Sequence, residues 1–192
     1  SWMKFIRRRP TYYSDIEEIV GKNPGHIIAS TACIGGFLGT TILKYGADSK
    51  NKSKYQQGII DFLNWCVNIF GEENFFLEMQ PSNEEEQVFV NTEIQKISAA
   101  MGVPVIITTD AHYLKKEDRK IHKAYLNSKD GDREVDSFYA STYVMTAEEI
   151  HEYMDDTIGA CSVSESISNT NLIVDMCEDY SLEKSMVVSY IS

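Results

Sequence analysis

The sequence predicts an α/β fold built on a mainly parallel sheet. Three observations predict it. Short apolar runs, His26-Ile27-Ile28-Ala29-Ser30, Phe75-Phe76-Leu77-Glu78-Met79 and Val103-Pro104-Val105-Ile106-Ile107-Thr108, are separated by long stretches with helical patterning. The last run is continuous and rich in β-branched residues, as a strand covered on both faces is. Between the first two runs, Tyr55, Ile59, Leu63, Cys66 and Phe70 recur at spacings of three and four, the period of an amphipathic helix. Strands alternating with helices of this length pair in parallel.

In chain order, Pro24-Gly25 and Gly35-Gly36 bracket the first strand. A helix follows from about Phe37 to Tyr45, and the amphipathic helix ends near Gly71. After the second strand, Ser82 can cap a helix whose first turn holds Glu84, Glu85 and Glu86, a sign of charge that suits the helix dipole. Val90, Ile94, Ile97 and Met101 form its buried stripe, and Gly102 ends it. A further helix is expected from about Lys116 to Asn127, then a loop over Lys129 to Arg133. Thr142 to Met145 reads as a short strand. Thr146-Ala147-Glu148-Glu149 is a capping box, and a last long helix should run from Thr157 to Cys177.

Composition bounds the function classes. The chain has 192 residues, 43% hydrophobic and 24% charged, which is globular rather than disordered. No run is long and apolar enough to span a membrane. The basic run Arg7-Arg8-Arg9 follows apolar residues, the reverse of a signal peptide, and reads as a solvated face. With 18 Lys+Arg against 29 Asp+Glu, the formal charge of −11 opposes a general nucleic-acid-binding surface. Cys33, Cys66, Cys161 and Cys177 form no C-x-x-C pair, so reduced thiols and a cytoplasmic location are expected. Cys66, Cys161 and Cys177 fall on helices and read as packing residues. His122 reads as a solvated or capping residue, and His151 as a surface residue among Glu148, Glu149 and Glu152. There is no Walker loop, G-x-S-x-G or G-x-G-x-x-G.

Parallel sheets place chemistry at the C-terminal ends of their strands. Directly after the third strand stands Thr108-Thr109-Asp110-Ala111-His112-Tyr113. In extended backbone, Asp110 and His112 face the same way. A carboxylate with an imidazole suits zinc, manganese or iron. The alternative is a helix-capping Asp110 beside a hydrogen-bonded loop His112. Cys33 follows the first strand in a glycine-bearing loop; on its own a lone cysteine in an apolar context reads as a small core residue, with a ligand role as the alternative. Glu78 lies at the end of the second strand and could simply bond backbone or pair with a lysine.

Three segments together resemble the PHP (polymerase and histidinol phosphatase) domain of bacterial DNA polymerase III alpha subunits. They are His26 to Gly36, Phe75 to Gln80, and Ile107 to Leu114. Glu86-Gln87, Asn91 and Asn169-Thr170-Asn171-Leu172-Ile173 follow in the same order, so the resemblance covers about Phe5 to Leu182. The segment Asp132 to Tyr139 is most similar to alpha subunits of Gram-positive bacteria or their phages. The resemblance implies a seven-stranded relative of the β/α barrel, with Cys33, Asp110 and His112 as ligands of zinc or manganese and Glu78 beside the site. It also implies an H-x-H motif on the first barrel strand. None exists here: His26, His112, His122 and His151 are scattered.

Residues 1–192 are therefore expected to be one domain, the C-terminal part of a PHP domain, with a partial barrel and without the H-x-H portion or the polymerase core. The parent would synthesise DNA, and the domain would support metal-dependent 3′–5′ phosphodiester hydrolysis. The alternatives are a non-catalytic scaffold that docks partners and a separate phosphoesterase of the histidinol phosphatase kind. DNA and other replisome subunits would be partners through the parent, with a homodimer of the fragment as one way to cover open sheet edges.

Overall fold

The computed structural model describes residues 11–130, 138–179 and 181. Among these residues the α-helices and strands follow in the order α1 (Tyr13–Lys22), β1 (Ala29–Ser30), α2 (Phe37–Ala47), α3 (Lys52–Phe70), β2 (Phe75–Met79), α4 (Glu85–Met101), β3 (Val105–Ile107), α5 (Arg119–Asp130), α6 (Ala147–Ile158) and α7 (Ala160–Met176). The Arg7–Arg9 run and residues 131–137 lie outside the described residues.

The three apolar runs pair side by side and in parallel, in the order β1-β2-β3. Ala29 is in register with Phe75, and Leu77 with Val105. Alternation along β2 assigns its two faces. Phe75, Leu77 and Met79 join Val105 and Ile107 in the main core, together with Leu38, Ile42, Leu63, Val90, Ile94, Met154 and Val163 from the helices. Each fully buried aliphatic chain contributes ~1.5–3 kcal/mol. Phe76, Glu78 and Ile106 point to the opposite face. Helix α4 packs on β2 and α7 on β3, while α2 bridges α3 and α4.

The expected barrel is corrected by this topology. The sheet has three strands, is open, and is outweighed by helix. The outer edge of β3 shows why it does not continue. Asn169 Nδ2 of α7 donates to the Val105 carbonyl at 2.9 Å, and the Thr170 hydroxyl donates to the Ile107 carbonyl at 3.4 Å. Side chains of a helix thus occupy acceptors that a fourth strand would use. The expected strand over Thr142–Met145 shrinks to one parallel bridge, Tyr113 with Tyr143.

Helix ends are mostly where local chemistry puts them. Gly71 and Gly102, both at positive φ, close α3 and α4. The Thr146 hydroxyl accepts the Glu149 N–H, and the Glu149 carboxylate accepts the Thr146 N–H, completing the capping box of α6. Three boundaries differ from expectation. Glu84 is the N-cap of α4, and Ser82 instead accepts the Glu84 N–H at 3.1 Å. The last helix, α7, starts after Gly159 at φ 90° rather than at Thr157, which belongs to the final turn of α6. Lys116–Asp118 forms a 3-10 turn, and α5 runs on to Asp130.

Replacing Asn169 by Ala removes the donor to Val105 and leaves a half-buried carbonyl without its partner. The expected loss is about 1–3 kcal/mol of stability, read by urea unfolding. An unchanged midpoint would mean that water satisfies that edge.

Candidate functional site

The sheet is parallel, so the segments after β1, β2 and β3 leave it along one edge. A carboxylate ties the three strand ends together there. The Ser30 hydroxyl donates to Glu78 Oε2 at 2.5 Å, and the Thr108 hydroxyl donates to Glu78 Oε1 at 2.6 Å. Gln80 Nε2 donates to the same Oε1 at 3.1 Å. The Glu78 backbone N–H donates in turn to the Thr31 hydroxyl at 3.0 Å. Hydrogen bonds to an ionised acceptor are roughly twice as strong as neutral ones. Glu78 therefore fixes the heights of the loops that begin at Thr31 and Thr108.

The first of those loops carries Cys33. Ala32 has φ 61°, an uncommon left-handed conformation for a residue with a side chain. The Cys33 carbonyl accepts the Gly36 N–H at 2.8 Å, closing a tight turn into α2. Gly39 lies against that turn: a Cβ there would sit 2.4 Å from the Ile34 carbonyl oxygen. The Cys33 thiol is free and half-buried.

The loop after β3 carries Asp110 and His112. Asp110 has φ 44°, so the chain bends sharply away from the sheet. His112 Nδ1 lies 2.6 Å from the Asp110 carbonyl oxygen. A carbonyl only accepts, so Nδ1 is the donor in this contact. The His112 N–H donates to the Thr142 carbonyl at 2.8 Å. Its ring stands 5.0 Å from that of Tyr139 and 5.7 Å from that of His122. His122 is half-buried, 4.8 Å from Tyr139. Burial first, and the neighbouring His112 second, hold the His122 pKa below its ordinary 6.5.

A polar cavity of about 530 Å³ opens beside these loops. Ile34 and Thr109, the neighbours of Cys33 and Asp110, line it with Gln80, Ser82, Gln87 and Thr142. Asn91 organises its floor, accepting from Gln87 Nε2 at 2.9 Å and donating to the Gln80 carbonyl at 2.8 Å.

Cys33, Asp110 and His112 thus share the expected edge, on two loops held by one carboxylate. Their donor types suit zinc or manganese. Among the described residues, however, no three His, Cys, Asp or Glu side chains are grouped closely enough to hold a metal ion.

Other expectations divide. Cys66 is a core residue whose burial pushes the thiol pKa up to about 12. Cys161 and Cys177 are exposed rather than packed, because they lie on the outer side of α7 and at its end. His122 is neither solvated nor a cap. It packs in the ring cluster, which spacing could not show because Tyr139 is distant in sequence. His151 is half-buried, with Nδ1 2.7 Å from Asp155 Oδ1 and Nε2 3.3 Å from the Ser164 hydroxyl. The Glu78 network was also missed. Its signal was three polar residues, Ser30, Glu78 and Thr108, at the ends of otherwise apolar strands.

Gly39→Ala should displace the Cys33 turn at a cost of about 1–3 kcal/mol, since backbone meets the new methyl. Thermal unfolding with thiol-reactivity measurements checks it; wild-type stability and Cys33 reactivity would refute the close approach. Because the His122 pKa is lowered, the unfolded chain binds more protons below pH 6.5, and the stability contributed there is lost as pH falls through that range. NMR titration should place the His122 midpoint below 6.5 and move it upward in His112→Ala.

No protein-family model matches the chain. It is 44% identical over 188 residues, 95% of its length, to a probable DNA polymerase, YorL, of Bacillus subtilis. The DNA-directed DNA polymerase of Bacillus phage SPbeta matches equally. The DNA polymerase III alpha subunit of Borreliella burgdorferi is 27% identical over 162 residues, 81% of the chain. These similarities run over 81–95% of the chain. The chain spans only 14% of the length of the first two relatives. No helix among the described residues is long and apolar enough to cross a membrane.

Proposed function

We propose that this chain is a segment of a DNA polymerase of the bacterial polymerase III alpha type, corresponding to the C-terminal part of its PHP domain. The observation that carries the reading is the conjunction at the strand ends. The segments that resemble the PHP domain are the same ones that meet at the sheet edge, where Glu78 binds Ser30 and Thr108. The 44% identity over 188 residues to a probable DNA polymerase supports the parent assignment.

In this reading Cys33, Asp110 and His112 are donors to a set completed by residues outside the chain. His112 is prepared for it: the Asp110 carbonyl orients the ring and fixes the tautomer. Bound zinc or manganese would supply Lewis-acid activation of water for phosphodiester hydrolysis. What these residues do on their own is narrower. Glu78 holds the loops, Asn91 and Gln80 shape the cavity, and the main chain presents the three donors. DNA and the other subunits of a replication complex are partners of the parent. The isolated chain is a bracing module without polymerase activity, and a poor nuclease.

A segment swap tests the reading. The chain replaces the corresponding segment of the Bacillus subtilis YorL polymerase, and the chimera is assayed for DNA synthesis and bound metal. The expected result is a folded, DNA-synthesising chimera whose metal content falls in Cys33→Ala and in His112→Ala. A folded chimera without synthesis, or metal content indifferent to both substitutions, contradicts it. The chain alone, given zinc or manganese and single-stranded DNA at low salt, should show no robust degradation. Degradation that vanishes in both variants would overturn the division of the site.

A further inference from the structure

We propose that Ser164, His151 and Asp155 form a nucleophile–base–carboxylate relay across α6 and α7 that hydrolyses small cationic carboxylic esters. The relay draws on none of the strand-end residues and does not rest on the polymerase reading.

Geometry is the first support. His151 and Asp155 stand four residues apart on α6, on one face of the helix. His151 Nδ1 lies 2.7 Å from Asp155 Oδ1. A carboxylate only accepts, so Nδ1 donates there. In the neutral ring Nε2 is then the acceptor, and it lies 3.3 Å from the Ser164 hydroxyl of α7. Hydroxyl, imidazole and carboxylate thus stand in the order that activates a serine nucleophile. Packing between the two helices fixes that order. Ile150, Met154 and Ile158 of α6 and Val163 of α7 are buried in one core, and Gly159 at φ 90° turns the chain from one helix to the other. The reacting groups remain accessible: Ser164 is exposed, and the side chains of His151 and Asp155 are 29% and 38% exposed.

The first turn of α7 is the second support. Helix side chains lean toward the N-terminus, so the Ser164 hydroxyl leans toward the turn that begins at Ala160. Gly159 offers no side-chain cap, and the N–H groups of Ala160, Cys161 and Ser162 have no acceptor within the helix. The positive end of the helix dipole thus lies near the hydroxyl, where a carbonyl oxygen gains negative charge as Ser164 attacks.

Charge selects the substrate. An open depression of about 490 Å³ begins at His151 and Asp155, and the rest of its lining is Glu148, Glu152 and Asp156. These carboxylates repel phosphate esters and carboxylate-bearing esters and attract a cationic one. In the reaction Ser164 Oγ bonds to the ester carbonyl carbon while its proton passes to His151 Nε2. The ester C–O bond breaks, and the departing oxygen takes that proton. Water then attacks the acyl-serine by the same route, releasing the acid and restoring Ser164. Asp155 is a positioning residue, acting through the His151 ring.

A fluorophosphonate, which bonds covalently to activated serines, tests the nucleophile in the unaltered chain. Peptide mapping by mass spectrometry should place the adduct at Ser164 and not at Ser162, Ser166 or Ser168. His151→Ala should slow that labelling about a hundredfold. Turnover is read with three p-nitrophenyl esters: the neutral acetate, the cationic lysine ester and the anionic hemisuccinate. The lysine ester should have the highest kcat/KM, with an advantage that shrinks as salt rises. Ser164→Ala should bring hydrolysis down to the level of His151→Ala. Asp155→Asn should lower kcat for the acetate with KM and helix content unchanged, because an amide can donate to Nδ1 and so hold Nε2 protonated. No adduct at Ser164, labelling indifferent to His151→Ala, full hydrolysis in Ser164→Ala, or a preference for the hemisuccinate would overturn the inference.

Discussion

The strand-end edge depends on one buried-side carboxylate. Glu78 accepts from Ser30 on β1, from Thr108 after β3 and from Gln80 of its own segment. A carboxylate has about four acceptor positions, and three are filled here by donors from three parts of the chain. Each hydrogen bond to a charged group is worth about 1.5–3 kcal/mol net. Strands of two, five and three residues carry few ladder bonds, so this cross-link matters more than it would in a long sheet. It sets where the Cys33 turn and the Asp110–His112 bend begin.

That constraint explains the backbone strain beside it. Ala32 and Asp110 both adopt positive φ, each two residues after a hydroxyl residue, Ser30 or Thr108, whose side chain donates to Glu78. Strained residues of this kind persist only where surrounding contacts over-determine them. The bend at Asp110 carries the chain off the sheet, and α7 then covers the exposed edge through Asn169 and Thr170.

Much of this was legible in the sequence. The runs at Ala29, Phe75 and Val105 announced parallel strands, because apolar, β-branched residues between helical stretches leave few other arrangements. The α3 stripe and the Thr146–Glu149 box were equally plain, since both are local. The barrel was not correct. It came from a family resemblance, whereas closure depends on what meets the edge of β3, and the donors that do so stand more than sixty residues later. The site divided in the same way. The strand-end rule placed Cys33, Asp110 and His112 on one edge. The partners of Glu78 and the Tyr139 ring beside His112 required three-dimensional neighbours. Cys161 and Cys177 were misjudged because helical spacing alone does not say which side of α7 faces the core.

Amide hydrogen exchange on the purified chain carrying Glu78→Leu tests the claim that this carboxylate holds the edge. The substitution keeps bulk and removes every acceptor. The account predicts faster exchange at Thr31, Gly36 and His112, whose N–H groups belong to the two loops, with protection in α4 and α6 unchanged. Unaltered exchange at all three amides, or uniform loss of protection across the helices, would contradict it.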